Sequence, residues 1–199
     1  ATVFVDLVSG PALWQSNAMQ GVVPGGRLTL TTAVPVTTAD VTGATTIYYT
    51  PYKHNIIPLW DGNVWNAITF AEVSLALGTL TSGRTYDVFG FLNAGALNTE
   101  LLAWTSTTAR ATAVTLQDGR YCKSGAKDRL YLGTFYTTST TATEDSGGFV
   151  TTQVGGKRFV WNMYNRVRRS IGVFDSTGTK WTYTTTSFRQ VNAASGNKV

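Results

Sequence analysis

The sequence predicts an all-β protein: an antiparallel β-sandwich or barrel, with one short helix near residues 70–77 and an extended N-terminal arm. Three observations lead there. Charged residues make up 14% of the 199-residue chain, against about 25% in ordinary globular domains, and with only Glu72, Glu100 and Glu144 as glutamates long amphipathic helices lack their usual material. Threonine supplies about one residue in six and aromatics 12%, and both classes fit a pleated, half-buried surface. Turn signals built on Gly, Asp and Asn recur every ~8–15 residues between short apolar runs, the spacing of antiparallel hairpins.

Residues 1–26 read differently from the rest. Val3, Val5 and Leu7 alternate with period two, Ser9-Gly10-Pro11 breaks the run, and Leu13, Trp14 and Met19 follow before Pro24-Gly25-Gly26. Apolar groups scattered through so interrupted a stretch cannot form a core of their own, and are expected to pack on the body of this chain or on another subunit. Nothing at 1–3 starts the basic-then-apolar pattern of a secretory signal.

From residue 27 the pattern is regular. Residues 27–30 alternate, and 45–52 (TTIYYTPY) are rich in strand formers. Runs 56–60 and 64–70 flank Asp61-Gly62-Asn63, runs 84–92 and 97–104 flank Asn93-Ala94-Gly95, and runs 112–117 and 120–122 flank Asp118-Gly119. Each turn supplies the positive φ of a tight hairpin. Residues 130–137 make a further strand; 149–154 and 157–165 flank Gly155-Gly156; 171–174 and 180–185 flank residues 175–178. The spacing Thr69-x-x-Glu72, followed by Val73, Leu75, Leu77 and Gly78, matches a capping box with a Gly terminator, hence the predicted helix. Residues 137–148 (TTSTTATEDSGG) hold no large apolar group and are expected as an exposed loop and a subdomain boundary within a 27–199 β domain.

The same composition excludes function classes. Aromatic content argues against disorder, and no run approaches the ~20 apolar residues of a membrane span. The net charge of +5 comes from few acids rather than many bases, so no nucleic-acid partner is expected. Any Ser-His-Asp or Cys-His site must use His54, a loop residue and the sole histidine. Cys122 is the sole cysteine and is expected as a passive small residue, although nearby cations favour a thiolate. No phosphate loop, dinucleotide fingerprint or zinc-ligand spacing is present, so catalytic residues, metal and cofactor are all expected to be none. Two-carboxylate glycan hydrolysis remains as the enzymatic alternative, with Asp87 and Glu100 facing across the Asn93 hairpin. Binding features are better represented. Trp65, Trp181 and Tyr183 are candidate receptor contacts, each offering a flat face and a hydrogen-bonding group. Arg166 and Arg168 share a face if the strand continues, and with Arg169 form a candidate partner patch.

Long stretches carry a resemblance: GGRLTLTTAVPVTTADVTGATTIYYTPY at 25–52, LALGTLTSGRTYDVFGFLNAG at 75–95, LLAWTSTTARATAVTLQDGRYCKSGAKDRLYLGTFYTT at 101–138, TED at 143–145 and RFVWNMYNRVRR at 158–169. Over about 25–191 the chain resembles a β-rich module of tail-fibre and other virion proteins of tailed bacteriophages and prophages. The resemblance implies a structural or host-attachment role in the virion and transfers no catalytic residue. It implies a homo-oligomer, expected as a trimer, bound to other virion proteins and to a host surface glycan or protein. The first ~24 residues fall outside the match, and the arm at 1–26 would anchor it through Val3, Val5, Leu7, Leu13, Trp14 and Met19. A tail-fibre appendage is the first expectation, a head decoration or cement protein the second, and a glycan depolymerase the third.

Overall fold

A computed structural model describes residues 22–146 and 156–169. Among these, just over half lie in strands, every strand pairing is antiparallel, and there is no helix. In chain order the strands are β1 (Gly26–Thr29), β2 (Val41–Ala44), β3 (Thr46–Pro51), β4 (Ile56–Trp60), β5 (Trp65–Thr69), β6 (Val73–Ala76), β7 (Thr85–Asn93), β8 (Ala96–Ala103), β9 (Val114–Gln117), β10 (Arg120–Lys123), β11 (Ala126–Tyr136), β12 (Thr143–Ser146), β13 (Lys157–Arg158) and β14 (Val160–Asn162). The all-β expectation therefore holds. No helix of the described residues is long and apolar enough to cross a membrane.

The largest sheet runs β8-β7-β11-β10-β9, with β14 added to β11 beyond the point where β10 stops. A three-stranded sheet, β1-β3-β6, and the β4–β5 hairpin cover one face of it. The resulting sandwich core joins Leu28, Ile47, Ile57 and Leu59 from the covering layer to Tyr86, Val88, Leu130, Leu132 and Phe135 from the large sheet. A third small sheet, β13-β12-β2, closes one end. The turn chemistry behaves as the residue types demand. Ala94-Gly95 (φ 48° and 82°) and Asp118-Gly119 (φ 49° and 76°) both place two residues in the left-handed region, the requirement of two-residue hairpins whose twist matches the strands.

Three expectations are corrected. The helix near 70–77 is instead strand β6, paired with β3. Its alternating exposure has period two, and the Glu72 carboxylate turns away from Thr69. It accepts hydrogen bonds from Thr32 Oγ1 (2.6 Å), the Ala33 amide (2.6 Å) and Thr50 Oγ1 (2.5 Å). The capping-box spacing is thus used to staple β3 and the 31–33 turn together. Second, residues 137–146 are not an exposed loop: Thr137 and Thr143 are fully buried, and β12 follows the turn. Threonine tolerates this because its hydroxyl is satisfied, Thr137 Oγ1 by Thr81 O at 2.7 Å and Thr143 Oγ1 by Tyr136 O at 2.6 Å. Third, β14 ends at Asn162, before the arginine run. Asn162 Nδ2 donates to Leu28 O (3.0 Å) while its Oδ1 accepts from Leu28 N (2.6 Å), and Asn165, at φ 52°, donates to Pro24 O (2.7 Å). These side-chain amides fasten the segment to β1 and bend it out of strand geometry. The anticipated strands at 149–154, 171–174 and 180–185, and most of the arm at 1–26, lie outside the described residues.

Glu72 gives a pH-dependent prediction. Desolvation alone would raise its pKa, but the hydrogen bonds from Thr32, Thr50 and Ala33 outweigh this and hold it below the usual carboxylate range. A depressed folded-state pKa stabilises above the unfolded value, and that stability is lost as pH falls through the folded value. Glu72→Ala should therefore cost about 1–2 kcal/mol at neutral pH, a charge-assisted network discounted for its partial exposure. Urea unfolding of both proteins should show that gap closing as pH falls from ~4.3, the unfolded glutamate value, through the depressed one. A gap independent of pH would show that lost packing, not charge, sets the cost.

Candidate functional site

The face of the large sheet turned away from the core carries a polar and aromatic row. β11 has a bulge between Tyr131 and Gly133. In a regular strand, residues three apart point to opposite faces; the extra residue brings Tyr131 and Thr134 onto the same one. There Tyr131 Oη and Thr134 Oγ1 lie 2.5 Å apart. In register across β7, β11 and β14 stand Asp87, Thr134 and Trp161. Asp87, 1% exposed, accepts from Thr134 Oγ1 (2.6 Å) and from Arg110 Nε (2.8 Å). Arg110 also donates to Tyr131 Oη (3.1 Å) and lies over the ring of Trp104, 4.6 Å from its centroid. Desolvation opposes the charge on Arg110, but the hydrogen bond and charge of Asp87 prevail and raise its pKa. Tied to Asp87 and Tyr131, the guanidinium forms part of the wall. With Trp161, 47% exposed, Trp104, Arg110, Tyr131 and Thr134 line a cleft of about 320 Å³, and Asp87 lies buried behind it.

Tyr131 and Trp161 also line a second cleft, of about 470 Å³, so the two meet at these rings. The second cleft is basic: it gathers Arg27, Arg158, Arg166 and Arg169 around a single carboxylate, Asp145. Arg158 Nη1 lies 3.0 Å from Asp145 Oδ1, and Arg169 Nη2 3.6 Å from Oδ2. Arg27 is held by main-chain carbonyls, Nε donating to Pro35 O (2.9 Å) and Nη1 to Asn165 O. Burial lowers its pKa from the ordinary value, and the charge of Arg169 pushes the same way. Arg166 donates Nε to Met163 O (3.2 Å). Neither Arg27 nor Arg166 has a carboxylate partner among the described residues. Among the described residues, the cleft lining thus sets four guanidiniums against one carboxylate.

Two of the three arginines singled out by the sequence, Arg166 and Arg169, belong to this cleft, although on a bend and not a strand face. Arg168 is exposed beside it. Trp65, expected as a receptor contact, is 8% exposed: Arg120 covers one face at 4.6 Å, Trp60 packs on its edge and Nε1 donates to Asp118 (3.0 Å). Its indole is committed to the core. Trp181, Tyr183, Val3, Val5, Leu7, Leu13, Trp14 and Met19 lie outside the described residues. Sequence reasoning missed Arg27, Trp104, Arg110 and Trp161. Only Trp161, inside the run WNMYNRVRR, stood next to a flagged feature; the others come together through tertiary contacts alone.

The residues weighed for catalysis are otherwise engaged among the described residues. Asp87 and Glu100 do not face each other: their register partners are Leu102 and Phe89, and Glu100 is paired with Arg129 (2.9 Å) and Lys123 (3.5 Å). Asp145 and Glu144 are likewise ion-paired, Glu144 with Lys157 at 2.7 Å. Burial pushes the Cys122 thiol up to about 11, so it stays protonated at neutral pH. Its 0% exposure keeps it from any substrate. His54 is an exposed loop residue whose Nδ1 accepts from the Ile56 amide (3.2 Å). Among the described residues no three His, Cys, Asp or Glu side chains group to hold a metal ion. No family model, curated protein or solved structure matches the chain.

Proposed function

We propose that this protein is a non-enzymatic structural component of a tailed-bacteriophage virion, an attachment appendage whose sandwich presents a recognition groove. The virion setting rests on the resemblance of the stretches at 25–52, 75–95, 101–138 and 158–169. The groove carries the attachment role: an exposed indole and an excess of guanidinium charge sit together on a rigid double-layered scaffold. Binding residues held in place by further contacts make a preorganised surface, which loses little entropy on contact. In this reading residues 1–26 anchor the chain to the particle and three copies assemble, as appendages following particle symmetry do.

Cryo-EM of intact particles tests the placement. Density for this chain on the tail, with 1–26 ordered against a neighbouring subunit, is the expected result. Density on the capsid lattice would overturn the attachment role in favour of head decoration.

A further inference from the structure

We propose that the joined clefts bind a carboxylate-bearing sugar, its ring lying on Trp161 and its carboxylate entering the arginine cluster. The proposal deepens the attachment reading by naming the ligand class of the same groove.

Three observations converge on it. The basic cleft already holds one carboxylate, that of Asp145, between Arg158 and Arg169. Its geometry therefore suits planar anions, which a guanidinium engages through parallel N–H donors. Two further guanidiniums, on Arg27 and Arg166, stand in the same cleft with no ion-paired carboxylate among the described residues. Like charges gathered in a part-buried space repel, and a second carboxylate relieves that repulsion.

Next to this cluster stands an apolar wall of the right kind. Trp161 is the most exposed tryptophan of the described residues and lies on the boundary between the two clefts. An indole face takes the C–H face of a sugar ring, while hydroxyls take up hydrogen bonds around it. Thr107, exposed on the lining of the smaller cleft, supplies such a hydroxyl. The volumes, about 470 and 320 Å³, fall within the range of small-ligand sites, and their contact at Tyr131 and Trp161 accommodates successive rings of a chain.

A nucleic acid fits less well. Sequence-tolerant strand binding needs a track of cations with several stacking rings, whereas these cations converge on one cleft. Tyr164, the aromatic nearest the arginine run, is pushed up to about 12 by burial, and its hydroxyl accepts from the Tyr121 amide (3.3 Å).

The test is calorimetric titration of the full chain with trigalacturonic acid, with the neutral galactose trisaccharide and with a thymidine trinucleotide. The acidic sugar should bind about tenfold or more tighter than the neutral one, a difference of at least ~1.4 kcal/mol. Trp161→Ala and Arg166→Gln should each weaken it by about threefold to tenfold, and raised salt should weaken it further. Both side chains are exposed, so the fold survives the changes, which circular dichroism verifies. Lys53→Gln, a cation outside the groove, should leave the affinity unchanged. Equal affinity for acidic and neutral sugars, tighter binding of the trinucleotide, no binding at all, or indifference to Trp161→Ala would each overturn the proposal. The attachment reading fails separately: acidic-sugar binding by a protein found on the capsid lattice would leave this inference standing and remove that one.

Discussion

Replacing Gly133 with alanine should cost about 3 kcal/mol or more and detach β14 from the large sheet. A Cβ at Gly133 would stand 2.2 Å from the carbonyl oxygen of Trp161 and 2.8 Å from Leu28 Cδ1. The first neighbour is backbone on the adjacent strand, the second a core side chain. Neither can step aside without moving its own layer. Overpacking in a close-packed interior ordinarily costs about 1–3 kcal/mol; here the displaced object is a strand paired at Gly133, Thr134 and Phe135. Hydrogen exchange provides a local readout. The Met163 amide, bonded to Leu132 O at 2.9 Å, and the Tyr136 amide, bonded to Phe159 O at 3.0 Å, should lose protection ahead of the β7–β8 amides. An unchanged urea midpoint with full protection at Met163 would mean that β14 can shift at no cost. Because Trp161 lies on β14, this methyl group should also abolish groove binding while leaving every groove side chain in place in the sequence.

Phe135→Ala should cost about 3–5 kcal/mol, the range for emptying a buried aromatic site. Phe135 is wholly buried and stacked on Tyr86 with centroids 5.5 Å apart and planes 18° apart. It stands in register with Tyr86 on one side and Val160 on the other. The hole would thus open where β7, β11 and β14 meet, against strands that hydrogen bonding holds at fixed spacing, so collapse into it is limited. With total stabilities of about 5–15 kcal/mol for single domains, the variant should sit close to its unfolding threshold. Phe135→Leu should recover more than half of the loss. Chemical denaturation of the two variants checks both figures; a loss under about 1 kcal/mol for alanine would show that the layers close over the gap.

What was legible in the sequence was local. Hairpins at 61–63, 93–95 and 118–119 follow from residues whose own backbone preferences specify the turn, and runs of strand formers such as 84–92 mark a strand buried along most of its length. What misled was a pattern whose partners are distant. Thr69-x-x-Glu72 satisfies a capping box on paper, yet Thr32, Ala33 and Thr50 compete for the carboxylate and win with three hydrogen bonds. The threonine-rich stretch at 137–146 looked solvated because hydroxyls suit water; each buried one found a carbonyl instead. The groove was the least legible part. Arg166 and Arg169 were visible as a charge run, but their cleft depends on Arg27 and on Asp145. Trp65 and Trp161 cannot be ranked by type or spacing: one is pinned between Arg120 and Trp60, and the other is the exposed central residue of a three-residue strand.

The backbone of Leu28 is paired to the side chain of Asn162 across 134 positions of sequence, and Arg27 is tied to Asn165 over a similar span. A ribosome therefore releases the first half of the basic cleft long before the second. Until residue 165 has emerged, β1 presents a row of unsatisfied donors and acceptors beside a partly formed core, the condition under which nascent β chains associate wrongly. Closure by so distant a segment also makes folding slow, since the chain entropy must be surrendered before the contact rewards it. The groove is thus completed late, which makes ligand binding a report that synthesis has passed residue 169.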